Sequence, residues 1–383
     1  MGLTPIWQRS LNLLVIAAVA ALAGCGGGTD NDDKSRIASL KLLGTAALAT
    51  GTMFEGVEFG GISGLDRAAD GSYWAISDDR GGERGTPRFY NLSIDYGSTG
   101  PVSVKVNRQV SMLREDGTPF PATARTVDPE AIRVAPNGNL YWSSEGNWST
   151  TPSALFQPFV REMTTAGKFV RTFKTSPVYN YVDNATQGGR NNKLFEALTV
   201  APDGTVFVAN EDALIQDGPL TSLQAGSVVR LSAMDPVTGA TKAQYAYELP
   251  KIPVNAAAGA PFGPDNGLSD LLALNNNTFI AVERAFASGI GNTIRLVITE
   301  ITDATTDVSR TEKLVGAKYT PMSRRLLLEM PITYQGIKLD NIEAITWGKT
   351  LPNGNRTLVL AADNNFTAND QTNQFLVFEV LSR

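Results

Sequence analysis

Carboxylates at regular spacing are the residues of this chain best suited to chemistry. Glu130, Glu196 and Glu343 each open an apolar run, Pro129-Glu130-Ala131-Ile132, Phe195-Glu196-Ala197-Leu198 and Ile342-Glu343-Ala344-Ile345. Each run is followed by a turn and a second apolar run that ends on an acid: Glu145, Glu211 and Asp363. Two looser copies place Ser63 and Ser269 at the opening position, with Asp78 and the pair Glu283-Arg284 at the close. Acids in such positions can hold a hard cation through oxygen or carry a proton. The chain contains no histidine, which removes Ser-His-Asp triads, two-His zinc sites and imidazole shuttles. Ser63 therefore has no usual base, and Gly61-Ile62-Ser63-Gly64 lacks the spacing of a nucleophile elbow.

The elements that must position these acids follow from the same phrase. Its copies begin at residues 63, 130, 196, 269 and 343, between 66 and 74 residues apart, a period that points to a repeat array. In the second copy the pattern predicts strands Glu130-Val134, Leu140-Ser144, Ala154-Met163 and Lys168-Lys174, with turns at Asn137-Gly138 and Ala166-Gly167. The third predicts Glu196-Val200, Thr205-Ala209, Ser227-Ala233 and Thr241-Leu249. The last copy shows only three strands, and Ile37-Leu48 supplies a fourth. The fold class expected is all-β: a propeller of four-stranded antiparallel blades closed by the N-terminal strand. Five blades are expected, or six if residues 301 to 340 hold further strands.

Two-residue Asn-Gly and Asp-Gly turns of type I′ would set Glu130 opposite Glu145, Glu196 opposite Glu211 and Ser63 opposite Asp78, and in the fourth copy Ser269 faces Arg284 with Glu283 alongside. The first strand of a propeller blade lines the central channel, so these residues converge on one mouth, where the long connections also lie. Like charges across a strand pair repel, and something must compensate. One candidate is calcium, held by Asp78, Glu130, Glu145, Glu196, Glu211, Glu283, Asp340, Glu343 and Asp363, with Asp128 and Asp265 beside them. Arginine is the other: Arg80, Arg84 and Arg284 can pair with the acids or, with Asn266 and Asn341, grip an anionic substrate. Glu130, Glu196 and Glu343 are the candidate catalytic carboxylates. A purely architectural role, with strand-opening acids accepting N–H groups from the next blade, stands beside both.

A formal charge of −5 and the absence of a basic tract exclude a nucleic-acid surface. Residues 1–24 read as an export signal, with Arg9 ahead of a short apolar run that ends in Leu22-Ala23-Gly24-Cys25. That ending resembles the lipobox of bacterial lipoproteins, which implies acylation of Cys25, the only cysteine, and attachment to the outer membrane of a Gram-negative cell. The lipid is the only membrane contact expected. Residues 25–36 read as a flexible tether, and 37–383 as one domain and a monomer.

The chain resembles the phytase-like family described as "esterase-like activity of phytase". The resemblance rests on Gly60-Gly61-Ile62-Ser63-Gly64-Leu65, Ser77-Asp78-Asp79, Asp128-Pro129-Glu130, Ser144-Glu145-Gly146 and Phe195-Glu196. It continues through Asp265-Asn266-Gly267-Leu268-Ser269-Asp270, Glu283-Arg284, Asp340-Asn341-Ile342-Glu343 and Asp363-Asn364-Asn365-Phe366. It implies a secreted or surface-attached propeller that hydrolyses phosphoric or carboxylic esters. In propeller phytases, calcium at the channel mouth bridges carboxylates to the substrate phosphate and activates the attacking water. The expected partner is a small anionic ester. A calcium-dependent, lactonase-like propeller and a non-enzymatic surface propeller are the alternatives.

Overall fold

In a computed structural model, the chain is described over residues 36–81, 84–182, 186–367 and 371–382. The export segment, Cys25 and nearly all of the tether lie outside the described residues. Five four-stranded antiparallel sheets follow one another in sequence, and a sixth blade is absent among the described residues. Blade 1 is built from Ile62–Arg67, Tyr73–Ser77, Arg88–Asp95 and Ser103–Ser111. Blade 2 holds Pro129–Val134, Leu140–Ser144, Phe159–Met163 and Phe169–Thr172, and blade 3 holds Phe195–Val200, Val206–Asn210, Ser227–Met234 and Thr241–Leu249. In blade 4 the strands are Asp265–Ala273, Thr278–Ala287, Gly291–Glu300 and Ser323–Met330. Residues 301 to 340 contribute only that last strand and one two-residue ribbon, Thr333–Tyr334 with Ile337–Lys338.

Blade 5 closes the ring. Its inner strands, Asn341–Trp347, Thr357–Asp363 and Thr372–Ser382, come from the C-terminus, and Ile37–Ala49 adds the outer one in a register running from Ile37 opposite Ser382 to Ala49 opposite Thr372. Alternate residues of these strands are apolar and buried between blades, as with Ile342, Ile345, Leu358, Leu360, Leu376 and Phe378 against Ile280, Val282, Ile294 and Leu296 of blade 4. Burying both faces of every inner strand gives the near-continuous apolar runs seen in the sequence.

The hairpins depart from the expected register in two ways. Ala135 and Asn139 close the inner turn of blade 2, and within it Gly138 alone takes a positive φ, 83°. The loop is thus a three-residue turn with a left-handed glycine, not a type I′ pair. Gly71, Gly204 and Gly354 do the same in blades 1, 3 and 5. Further up, all five ladders slip at the repeat position, between Ile62 and Gly64, Pro129 and Ile132, Phe195 and Ala197, Leu268 and Asp270, and Ile342 and Ala344. The skipped residues are Ser63, Glu130 (with Ala131), Glu196, Ser269 and Glu343, each repeat position at a β-bulge that re-aims its side chain. The acids expected to face one another do not. Asp78, Glu145 and Glu211 instead donate their N–H groups to the carbonyls of Gly61, Asp128 and Leu194, two residues before the bulge, while Arg284 faces Gly267 and Asp363 faces Asn341.

Below the acids one ion pair crosses the ring. Arg133 of blade 2 donates to both carboxylate oxygens of Asp270 in blade 4 at 2.7 Å, to the Leu198 carbonyl of blade 3 at 2.7 Å and to the Leu65 carbonyl of blade 1. Asp270 also accepts the N–H of Ile345 in blade 5 at 2.9 Å. All five first strands meet on this buried pair, which closes the channel and leaves a blind pit above it.

Candidate active site at the channel mouth

The pit is a cavity of about 770 Å³. Of the residues expected there, Asp78, Glu130, Glu196, Glu211, Asp340, Glu343, Asp363, Arg80, Arg284 and Asn341 line it. Glu145 lies just beneath, fully buried, with one oxygen accepting the Leu194 N–H at 2.7 Å.

Three expected residues are elsewhere. Glu283 precedes the mouth position of its strand by one residue, so its side chain enters the other face of blade 4, bonded to Tyr247 and Arg324. It braces blades 3 and 4 and is not at the mouth. Arg84 pairs with Glu58 at 2.7 Å and lies over the Phe366 ring, and does not line the pit. The Asn266 amide points behind the wall, donating to the Pro250 carbonyl at 2.9 Å.

The acids form two groups. On one side, oxygens of Asp128, Glu130 and Glu145 lie within 4.8 Å of one another, and so do oxygens of Glu145, Glu196 and Glu211, with Glu145 shared. Burial, then Glu196 and Asp128, push the Glu130 carboxyl well above the usual range, and burial with Glu145 and Glu211 does the same to Glu196. The Glu145 carboxyl is pushed up to about 8 by burial and by Asp128 and Glu211. On the other side Asn341 bridges two acids, donating to Glu343 at 2.8 Å and to Asp363 at 3.4 Å. Burial raises Glu343 to about 7 against the pull of Arg284, and burial with the nearby Glu343 charge raises Asp363 to about 8. Asp340 is turned away from this group: one of its oxygens accepts the N–H and hydroxyl of Thr372.

Cations separate the groups. Arg284 lies 3.0 Å from Glu211 and 3.3 Å from Glu343, and Lys193 lies 2.8 Å from Glu211 and also grips Asp265. Burial works against both charges, but the surrounding carboxylates prevail and raise both above their ordinary values. Arg80 reaches Asp128 at 3.4 Å and the Asn192 oxygen at 3.3 Å. Lys193 carries no signal in the repeat; it precedes the bulged Glu196 by three residues, in a connection whose length alone marked it as part of the mouth.

The first acid group fits a hard divalent cation. It offers only carboxylate oxygens, and one buried oxygen each of Glu145 and Glu196 has no hydrogen-bond partner among the described residues. Leaving such oxygens bare is costly, and a cation of the calcium type takes six to eight of them.

A search of curated protein sequences finds no match. Among solved structures the chain is similar to a GH43 β-1,3-galactosidase bound to galactodeoxynojirimycin, with 11% identity over 86% of this chain and 94% of that one and a TM-score of 0.44. It is similar also to a GH43 β-xylosidase/α-arabinofuranosidase from a compost microbial metagenome, with 11% identity, coverage of 90% and 96% and a TM-score of 0.40. A streptogramin B lyase matches at 10% identity over 87% and 97%, with a TM-score of 0.31. At these values the likenesses bear on neither substrate nor mechanism. A family model described as "Phytase-like: Esterase-like activity of phytase" matches residues 57–366, spanning all the bulged acids, and the chain belongs to that family.

Proposed function

We propose that the pit hydrolyses small anionic esters, phosphoric esters foremost and carboxylic esters as the second class. The observation that supports this most is the meeting, on one buried floor, of bare carboxylate oxygens with the cations Arg284 and Lys193. Calcium held by Asp128, Glu130, Glu145, Glu196 and Glu211 would supply a Lewis acid for the ester oxygen and neutralise the floor. The chain's own residues account for the rest. Arg284 and Arg80 line the pit from different blades and orient the substrate anion by charge-assisted hydrogen bonds. Glu343, which lines the pit outside that calcium shell and whose carboxyl burial raises to about 7, keeps a proton available to a leaving oxygen. The closed channel floor keeps the reacting group from bulk water on the far side.

The test is turnover of phosphomonoesters, phosphodiesters and carboxylic esters by the protein with calcium and after exhaustive chelation. Activity is expected only with the metal, and Glu196→Gln should lower kcat/KM by about a hundredfold or more with the fold intact by circular dichroism. Undiminished turnover in chelator would remove the metal from the reading, and wild-type rates in Glu196→Gln would remove the site.

A further inference from the structure

The mouth is not level. In blades 1, 2 and 3 the second strand has five residues, whereas Thr278–Ala287 and Gly291–Glu300 of blade 4 have ten each. Three residues run on past Arg284, the mouth position, lifting this hairpin about 10 Å above the acids. Its upper part faces the pit with Phe286 and, at the tip, Ile290. The connection from blade 3 packs on its back, with the Ala257 N–H on the Ser288 carbonyl at 2.8 Å, and brings Pro261 and Phe262 to the same rim. Phe262 is 70% exposed and Ile290 39%, and these are the only two exposed large hydrophobics among the described residues that line the pit. Asn292 stands directly opposite Phe286 in the hairpin, lines the cavity and is buried, and its side-chain oxygen has no partner among the described residues. An apolar rim with one unpaired acceptor inside an otherwise charged pit is an incomplete surface.

We propose that this wall selects the substrate, and that the ester it admits is amphipathic. The anionic head descends to Arg284 and the acids, and an apolar group of aryl or short-alkyl size lies against Phe286, Ile290 and Phe262. A polyanion such as a fully phosphorylated sugar ring would lay charge against that rim and is disfavoured. The inference rests on the ester-hydrolase reading for its head group but not for its apolar arm.

Methyl phosphate and hexyl phosphate separate the two, because they share reacting group and leaving-group type and differ only in apolar surface. With calcium present, hexyl phosphate is expected to show a KM, and a calorimetric Kd, at least about tenfold below that of methyl phosphate. In the double variant Phe262→Ser/Ile290→Ser, both of whose sites are exposed, that advantage, read as the ratio of the two phosphates within the variant, should fall to about twofold. Equal values for the two phosphates in the wild type, an advantage that survives the double variant, or tighter binding of inositol hexakisphosphate than of hexyl phosphate would each overturn the proposal. If neither phosphate is turned over, the hydrolase reading fails, and the calorimetric arm still decides the wall: variant-dependent hexyl binding upholds it and variant-independent binding removes it.

Discussion

Arg133→Ala lowers the unfolding free energy by about 3–5 kcal/mol in a urea titration, the largest loss expected from a single substitution in this protein. The guanidinium is 2% exposed and its partner Asp270 1%, and truncation leaves a carboxylate at the centre of the ring with no counter-charge. Burial already pushes that carboxyl up to about 6 against the pull of Arg133 and of the Ile345 and Leu271 N–H groups. The carbonyls of Leu65, Leu198 and Leu271 lose their donor in the same step. Arg133→Met with Asp270→Leu should recover most of the loss, since removing both ions also removes the cost of desolvating them. A loss under about 1 kcal/mol in Arg133→Ala would show that the blades do not depend on this pair. Glu196→Gln provides the contrast: it removes a repelling charge and should leave stability equal or higher.

The second large effect is a reversal of the usual pH dependence. Without metal, the melting temperature should fall steadily as pH rises from 5 to 9. Glu145, Glu343 and Asp363 have folded-state values near 8, 7 and 8, against about 4 in the unfolded chain. Between these limits the native protein holds more protons than the unfolded one, so stability present in mild acid is lost as pH climbs through the folded values. For one carboxyl an elevation of this size amounts to on the order of 4 kcal/mol. Saturating calcium should remove the share of the slope that Glu145 carries, raising the melting temperature more at pH 8 than at pH 5 and leaving the share of Glu343 and Asp363. A flat or rising profile in chelator between pH 5 and 8 would sink this account, as would calcium stabilisation that does not grow with pH.

The five blades and the N-terminal closing strand were legible because burial on both strand faces imposes long apolar runs, and the turn glycines punctuate them at a regular period. Register was not. Counting across Asn137-Gly138 treats the loop as two residues, while Pro136 joins it to make three, and the bulge at Glu130 shifts the ladder again in the same direction. No residue type announces that bulge, since Ser and Glu both occupy it. Convergence of the acids survived the error because a shift along a strand moves them within one mouth. Glu283 was misplaced for the same reason: the mouth position in blade 4 belongs to Arg284, and one residue changes the face. The Arg133–Asp270 pair did leave a trace. Positions equivalent to Asp270 in the other blades are Gly64, Ala131, Ala197 and Ala344, and those equivalent to Arg133 are Asp66, Thr199, Leu272 and Thr346. Arg133 is the only cation and Asp270, apart from Asp66, the only acid at these positions, and opposite charges in non-adjacent repeats can meet only across the axis.

The shared bulge separates the ring's assembly from its chemistry. At the repeat position the ladder skips a residue in every blade, so inter-strand pairing there makes no demand on the side chain, and serine and glutamate are accommodated on the same backbone path. Packing between blades is set by the alternating apolar residues on either side, which differ little from blade to blade. Each blade therefore presents one interchangeable socket to the pit. Five sockets filled as Ser, Glu, Glu, Ser and Glu are one setting of a scaffold whose reactivity can be rewritten one socket at a time without renegotiating the fold.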